Sequence, residues 1–106
     1  WGDGRVIRDY LYIADLAVAL LAAARYTGPE RVFNIGSGAG LSLNQVLDGI
    51  AHVTGREVER RYVEARAFDV PINVLAIDRA ARVLNWKPAT PFLDGLARTA
   101  RWMRPQ

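Results

Sequence analysis

The stretch VFNIGSGAGLSLNQVLDGI, Val32 to Ile50, runs from an apolar segment through Gly36, Gly38 and Gly40 into residues with helical periodicity. A strand, a glycine turn and a helix in that order resemble a nucleotide-phosphate turn, so the role of these glycines decides what kind of α/β unit the chain builds. A dinucleotide-binding turn has the spacing G-x-G-x-x-G, its third glycine letting helix and strand pack closely. Here Leu41 stands in the third place, and Gly40 is out of register. Ser42 and Gln45, three residues apart, instead form a capping box, and Leu41 with Val46 supplies a hydrophobic staple, together worth roughly 1 to 2 kcal/mol. The spacing predicts a helix-initiating loop, with only the anion affinity common to helix N-termini.

Working outward, Val32–Ile35 reads as a short buried strand, and Leu43, Val46, Leu47 and Ile50 form the apolar stripe of a helix closed by Gly55. Glu57–Val63 alternates charged and apolar residues, as a strand near a sheet edge would. Strand, helix and strand make a βαβ unit, which is right-handed in nearly all proteins. Upstream, Val6–Ile13 is rich in aromatic and β-branched residues and predicts a strand. Asp15 can cap a helix over Leu16–Tyr26, ended by a left-handed Gly28 and by Pro29. Downstream, the pattern predicts a short helix at Asp78–Leu84 and a last helix to Met103, with Thr90 as N-cap and Pro91 at its first position.

The 106 residues fit one domain, and 51% apolar content can supply one core. Without cysteine there is neither a disulfide framework nor a thiolate metal site, and one histidine, His52, leaves little scope for imidazole chemistry. The longest apolar run, Leu16–Ala24, is about half a membrane span, so the expectation is a soluble, cytoplasmic protein with no membrane partner. Of the fourteen basic residues only Lys87 is lysine, and the net charge is +3. Arginine suits bidentate capture of phosphate or carboxylate, but the charges are scattered, which argues against nucleic acid as a partner. The segment LAVALLAAARY, Leu16–Tyr26, is apolar on nearly every face, whereas a surface helix carries one stripe. It predicts apolar surface awaiting a neighbour: a missing domain, or a second copy through self-association.

Charged residues outside regular apolar patterns mark where chemistry could lie. Arg8 and Asp9 are adjacent within a strand pattern and so point to opposite faces. Arg8 is compatible both with an edge-strand ion pair and with a ligand phosphate. Arg66 and Asp69 follow the charged strand in a loop. Tyr10 and Tyr12 could share a face with Arg8, although core packing is the more ordinary use; Trp86 and Trp102 are expected to pack the last two helices, and His52 to be a surface residue.

Four segments taken in order resemble a known family: GDGRVIRDYLYIADLAVALLAA (Gly2–Ala23), VFNIGSGAGLSLNQVL (Val32–Leu47), RAFD (Arg66–Asp69) and DRAARVLNWKPATPFLDGLARTARW (Asp78–Trp102). They are similar to the C-terminal third of extended short-chain dehydrogenase/reductases, especially the NAD-dependent nucleotide-sugar epimerases and dehydratases of the UDP-glucose 4-epimerase type. The resemblance implies an α/β fold: the substrate-binding portion, a small sheet with a βαβ unit and packed helices, lacking the Rossmann domain. Residues 1–106 are then a single C-terminal domain whose partner is the absent N-terminal NAD-binding domain. The resemblance further implies that Arg8 and Arg66 contact the diphosphate of a nucleotide sugar, and that Asp69 binds ribose hydroxyls. Phe68 replaces the glycine of the family's R-x-G-D pattern. NAD belongs to the full-length protein, with no cofactor-binding and no catalytic residue expected in this chain. Consistently, the residues four after the tyrosines are Ala14, Leu16, Glu30 and Arg66, so no Tyr-x-x-x-Lys pair exists. A different class, a stand-alone basic module binding nucleotides or an acidic partner without catalysis, is the alternative.

Overall fold

In a computed structural model that describes residues 1–105, the chain forms a three-stranded sheet with four helices. In order these are β1 Ile7–Asp9, α1 Ile13–Arg25, β2 Gly40–Ser42, α2 Leu43–Thr54, β3 Ile72–Asn73, α3 Asp78–Val83 and α4 Phe92–Met103. The sheet order is β2-β1-β3. β1 runs antiparallel to β2, with Ile7, Arg8 and Asp9 opposite Ser42, Leu41 and Gly40. It runs parallel to β3, with Ile7 opposite Ile72 and Arg8 opposite Asn73.

The helix predicted after the glycines is present with its predicted capping box and glycine C-cap. Ser42 accepts from the Gln45 amide at 3.1 Å, the Gln45 side chain accepts from the Ser42 amide at 2.8 Å, and Gly55 ends the helix in the left-handed region at φ 68°. α2 packs across α4 at Gly49, where a Cβ would come within 3.0 Å of the Phe92 ring and 3.2 Å of Leu96 Cδ2. Any side chain at this position would require the Phe92 ring and Leu96 to give way, so glycine suits the close approach of the two helices.

Several predicted boundaries move, each for a nonlocal reason. The strand expected over Val6–Ile13 is confined to β1, and α1 starts from Tyr12 with no side-chain cap. Asp15 does not cap α1, because its carboxylate accepts from the Ala89 and Thr90 amides and the Thr90 hydroxyl. With Thr90 so engaged, the N-cap position of α4 falls to Pro91. α1 ends at an extended Tyr26, whose hydroxyl accepts the Glu30 amide at 3.1 Å, and Gly28 is not in the left-handed region.

Neither Val32–Ile35 nor Glu57–Val63 forms a strand. Ile35 packs on the core instead. The second segment is held by single bonds, Tyr62 Oη donating to Asn44 Oδ1 and the Val63 carbonyl accepting from Gly2, together with the Arg60–Asp48 ion pair. The parallel pairing of a βαβ connection does occur, between β1 and β3, with α1, β2 and α2 in its crossover.

The buried core is small: Ala19, Ala80 and Trp86, with Leu11, Ile35 and Leu84 against it. Trp102 does not join it and is 82% exposed. The molecule is a slab of 48 × 41 × 18 Å with a radius of gyration of 16.3 Å, against about 13 Å for a compact chain of this length. Its accessible surface of 8114 Å² exceeds the roughly 5,900 Å² of a compact monomer of this mass. Part of the exposed apolar surface lies on α1, where Ile13, Val18, Leu20 and Leu21 are all exposed. Among the described residues no helix is long and apolar enough to cross a membrane.

Candidate functional site

The site begins with the alternation of β1. Asp9 faces the glycine loop, and its carboxylate accepts the amides of Ser37 at 2.7 Å, Gly38 at 3.0 Å and Leu75 at 3.3 Å. A run of backbone N–H groups in a glycine turn makes a concavity for an anion. Here the anion is the chain's own carboxylate. Gly36 is part of the same fit, since a Cβ there would lie 2.7 Å from Asp9 Oδ2. Partial burial opposes ionisation of Asp9, but the amides of Ser37, Gly38 and Leu75 and the Ser37 side chain outweigh it and hold its pKa below the ordinary 3.8. The loop therefore does not fit a cofactor phosphate, because the amides that would bind one are already engaged.

Arg8 lies on the other face. Its Nη1 donates to the carbonyls of Ile7 at 2.8 Å and Val70 at 2.7 Å. Among the described residues its Nε and Nη2 have no protein acceptor. The side-on edge of the guanidinium, which matches a pair of oxygens, is thus without a protein partner among the described residues.

Arg66 is differently placed. Its Nε donates to Asp69 Oδ2 and its Nη2 pairs with Asp69 Oδ1, both at 3.0 Å. The guanidinium lies 5.0 Å from the Trp1 ring centroid and 5.1 Å from that of Phe68, contacts worth about 0.5 to 1 kcal/mol each at an exposed site. Phe68, in the place of a glycine, thus props one side of the arginine it follows. Arg66 and Asp69 line an open cavity of about 450 Å³ together with Trp1, Arg5, Val6 and Pro71. The fold brings Arg66 and Asp69 into direct contact. Arg8 reaches the same segment through Val70, the residue after Asp69, rather than through either side chain.

Tyr10 and Tyr12 do not share a strand face with Arg8. Tyr10 packs against Phe92 with ring centroids 6.0 Å apart, and the Tyr12 ring meets Gly95 and stacks under Arg98. His52 is exposed. Among the described residues no cluster of His, Asp and Glu could hold a metal. The arrangement can therefore grip an oxyanion and orient it. Sequence reasoning missed the destination of Asp9 and the part of Trp1. The first was detectable as an acidic residue in a strand pattern beside a glycine loop with no other anion to hold; the second left no local signal.

Residues 1–36 match the model of the NAD dependent epimerase/dehydratase family. The chain is 32% identical over 105 residues to a UDP-glucuronate 4-epimerase of Thermodesulfobacterium geofontis, covering 98% of this chain and 32% of that protein. Among solved structures it is similar to the UDP-glucose 4-epimerase of Thermotoga maritima with UDP-glucose, at a TM-score of 0.88 and 35% identity, covering 96% of this chain and 33% of that one. It is similar also to MoeE5 in complex with UDP-glucose and NAD, at a TM-score of 0.89 and 32% identity, covering 96% of this chain and 34% of that one. The chain spans about a third of the length of the relatives it matches.

Proposed function

We propose that this chain, which matches the C-terminal part of the NAD-dependent epimerase/dehydratase family in sequence and fold, is the substrate-binding portion of a nucleotide-sugar epimerase of the UDP-glucose 4-epimerase type. The observation that supports the reading is the Arg66–Asp69 pair lining an open cavity, with Arg8 bonded to the Val70 carbonyl of the same segment, in a fold similar to proteins solved with UDP-glucose. In this reading Arg8 holds the diphosphate through its unpaired Nε/Nη2 edge. Arg66 adds charge beside it, and Asp69 shares its carboxylate between Arg66 and ribose hydroxyls. Each arginine–phosphate contact is a charge-assisted hydrogen bond worth about 1.5 to 3 kcal/mol.

The contribution of these residues is grip and orientation, which speeds a reaction by fixing the sugar in place. The chemistry NAD would supply in the full-length protein is transient oxidation of the sugar and return of the hydride, giving inversion at C4. Nothing in residues 1–105 is assigned to bind that cofactor. The exposed apolar face of α1 supports docking of an NAD-binding domain, and self-association of the chain alone would cover the same surface.

The test assays the natural gene product for NAD-dependent interconversion of UDP-glucose and UDP-galactose, with the 106-residue chain in parallel. Turnover by the former and uridine diphosphate binding without turnover by the latter are expected. Turnover by the 106-residue chain would overturn the division of labour. A gene product that binds no uridine diphosphate would leave the basic binding module as the better reading.

A further inference from the structure

We propose that Asp9 is a positioning residue for Arg8: by clasping the segments that flank β1 on both sides, it fixes the direction in which Arg8 presents its guanidinium. The inference rests on the reading that Arg8 meets a diphosphate.

The three strands have three, three and two residues, so the ladders alone specify register weakly. A slip of one residue would exchange the faces of Arg8 and Asp9. The Asp9 carboxylate opposes that slip, because the amides it takes come from both sides of the central strand. Ser37 and Gly38 lead into β2, and Leu75 follows β3. Arg8 is tied to the opposite end of β3, through the Val70 carbonyl that precedes it. The two neighbours thus hold the parallel pair at its two ends, from its two faces.

The consequence falls on Arg8 because Arg66 has its Nε/Nη2 edge on Asp69. Of the two arginines only Arg8 leaves that edge without a protein partner among the described residues, and Nη1 on the two carbonyls sets the direction in which the edge is presented. A carboxylate that holds the strand in register therefore acts on the ligand through its neighbour, without touching it.

Uridine diphosphate affinity is measured by calorimetry for the protein and its R8A, D9N, D9A and R8A/D9A variants, with Arg8 side-chain ¹⁵N relaxation recorded for the protein and D9N. D9A is expected to weaken binding about tenfold and D9N by less. R8A/D9A should bind no more weakly than R8A, and the Arg8 guanidinium, rigid in the parent, should become mobile in D9N. An equal loss from D9A with and without Arg8, or an Arg8 that stays rigid in D9N, would overturn the proposal. Should D9A fail to fold, D9N carries the affinity comparison, singly and with R8A. Should the parent bind no uridine diphosphate, the functional reading falls and Arg8 mobility alone decides this one.

Discussion

Trp86 donates its indole Nε1 hydrogen to the backbone oxygen of Asp15, 3.0 Å away. The side chain of the same Asp15 receives the Ala89 and Thr90 amides. One turn of α1 is thus bound on both sides to the segment that joins α3 to α4, and the core closes around Trp86, which is only 3% exposed. Trp86→Ala is expected to cost about 3 to 5 kcal/mol, and Trp86→Phe about 1 to 3 kcal/mol for the lost bond and ring volume. Chemical denaturation of the two variants checks the order.

The clasp at Asp9 makes stability depend on pH at the acid end. Its folded pKa lies below the ordinary 3.8, so its contribution is complete above that value and is lost as pH falls through the folded pKa. Denaturation midpoints measured from about pH 6 down to about pH 2 should therefore decline below about pH 4, and Asp9→Asn should show a flatter decline. An unchanged acid limb in D9N would show that other carboxylates set it.

Removing the hydroxyl of Ser42 deletes one half of the capping box of α2. Ser42→Ala should cost about 1 kcal/mol, since the Gln45 amide loses its acceptor. Gln45→Ala should cost less, and the double variant should fall short of the sum because the two bonds are reciprocal.

Gly49 sets the spacing of α2 and α4. Gly49→Val would push its side chain into Phe92, Leu93 and Leu96 and should destabilise by about 1 to 3 kcal/mol despite the better helix propensity of valine. Gly49→Ala would bring a methyl within 3.0 Å of the Phe92 ring and should cost less.

Leu20 and Leu21, 62% and 57% exposed, separate docking from folding. Leu20→Glu with Leu21→Glu should leave the stability of the 106-residue chain nearly unchanged while reducing apolar-dye binding and self-association. Analytical ultracentrifugation with dye titration reads both effects, and a large loss of stability would mean that α1 is packed within the chain itself.

How much could be read in advance varied with the range of the interaction. The α2 capping box and the Gly55 cap were legible because each links residues within a few positions, and α3 and α4 lie within two residues of the spans their patterns predict. The strands at Val32–Ile35 and Glu57–Val63 were not, because alternation and apolarity show only that a segment could pair. Pairing needs a second backbone alongside, and for both segments the fold supplies individual contacts instead. At the candidate site, the placement of Arg8 and Asp9 on opposite faces was legible from strand alternation. The Arg66–Asp69 pairing left only its three-residue spacing as a trace.

The sequence by itself determined that helices form in these four places, the two caps of α2 and the resemblance of the motifs, since these depend on spacings of three to seven residues that any neighbour-by-neighbour reading can follow. Only the tertiary structure decided where two of the carboxylates went. Asp15 turned from its own helix to Thr90, and Asp9 filled the glycine loop that could have held a phosphate. A charged group settles where unpaired donors and partial shelter from water coincide, and that coincidence is made by segments distant in the chain.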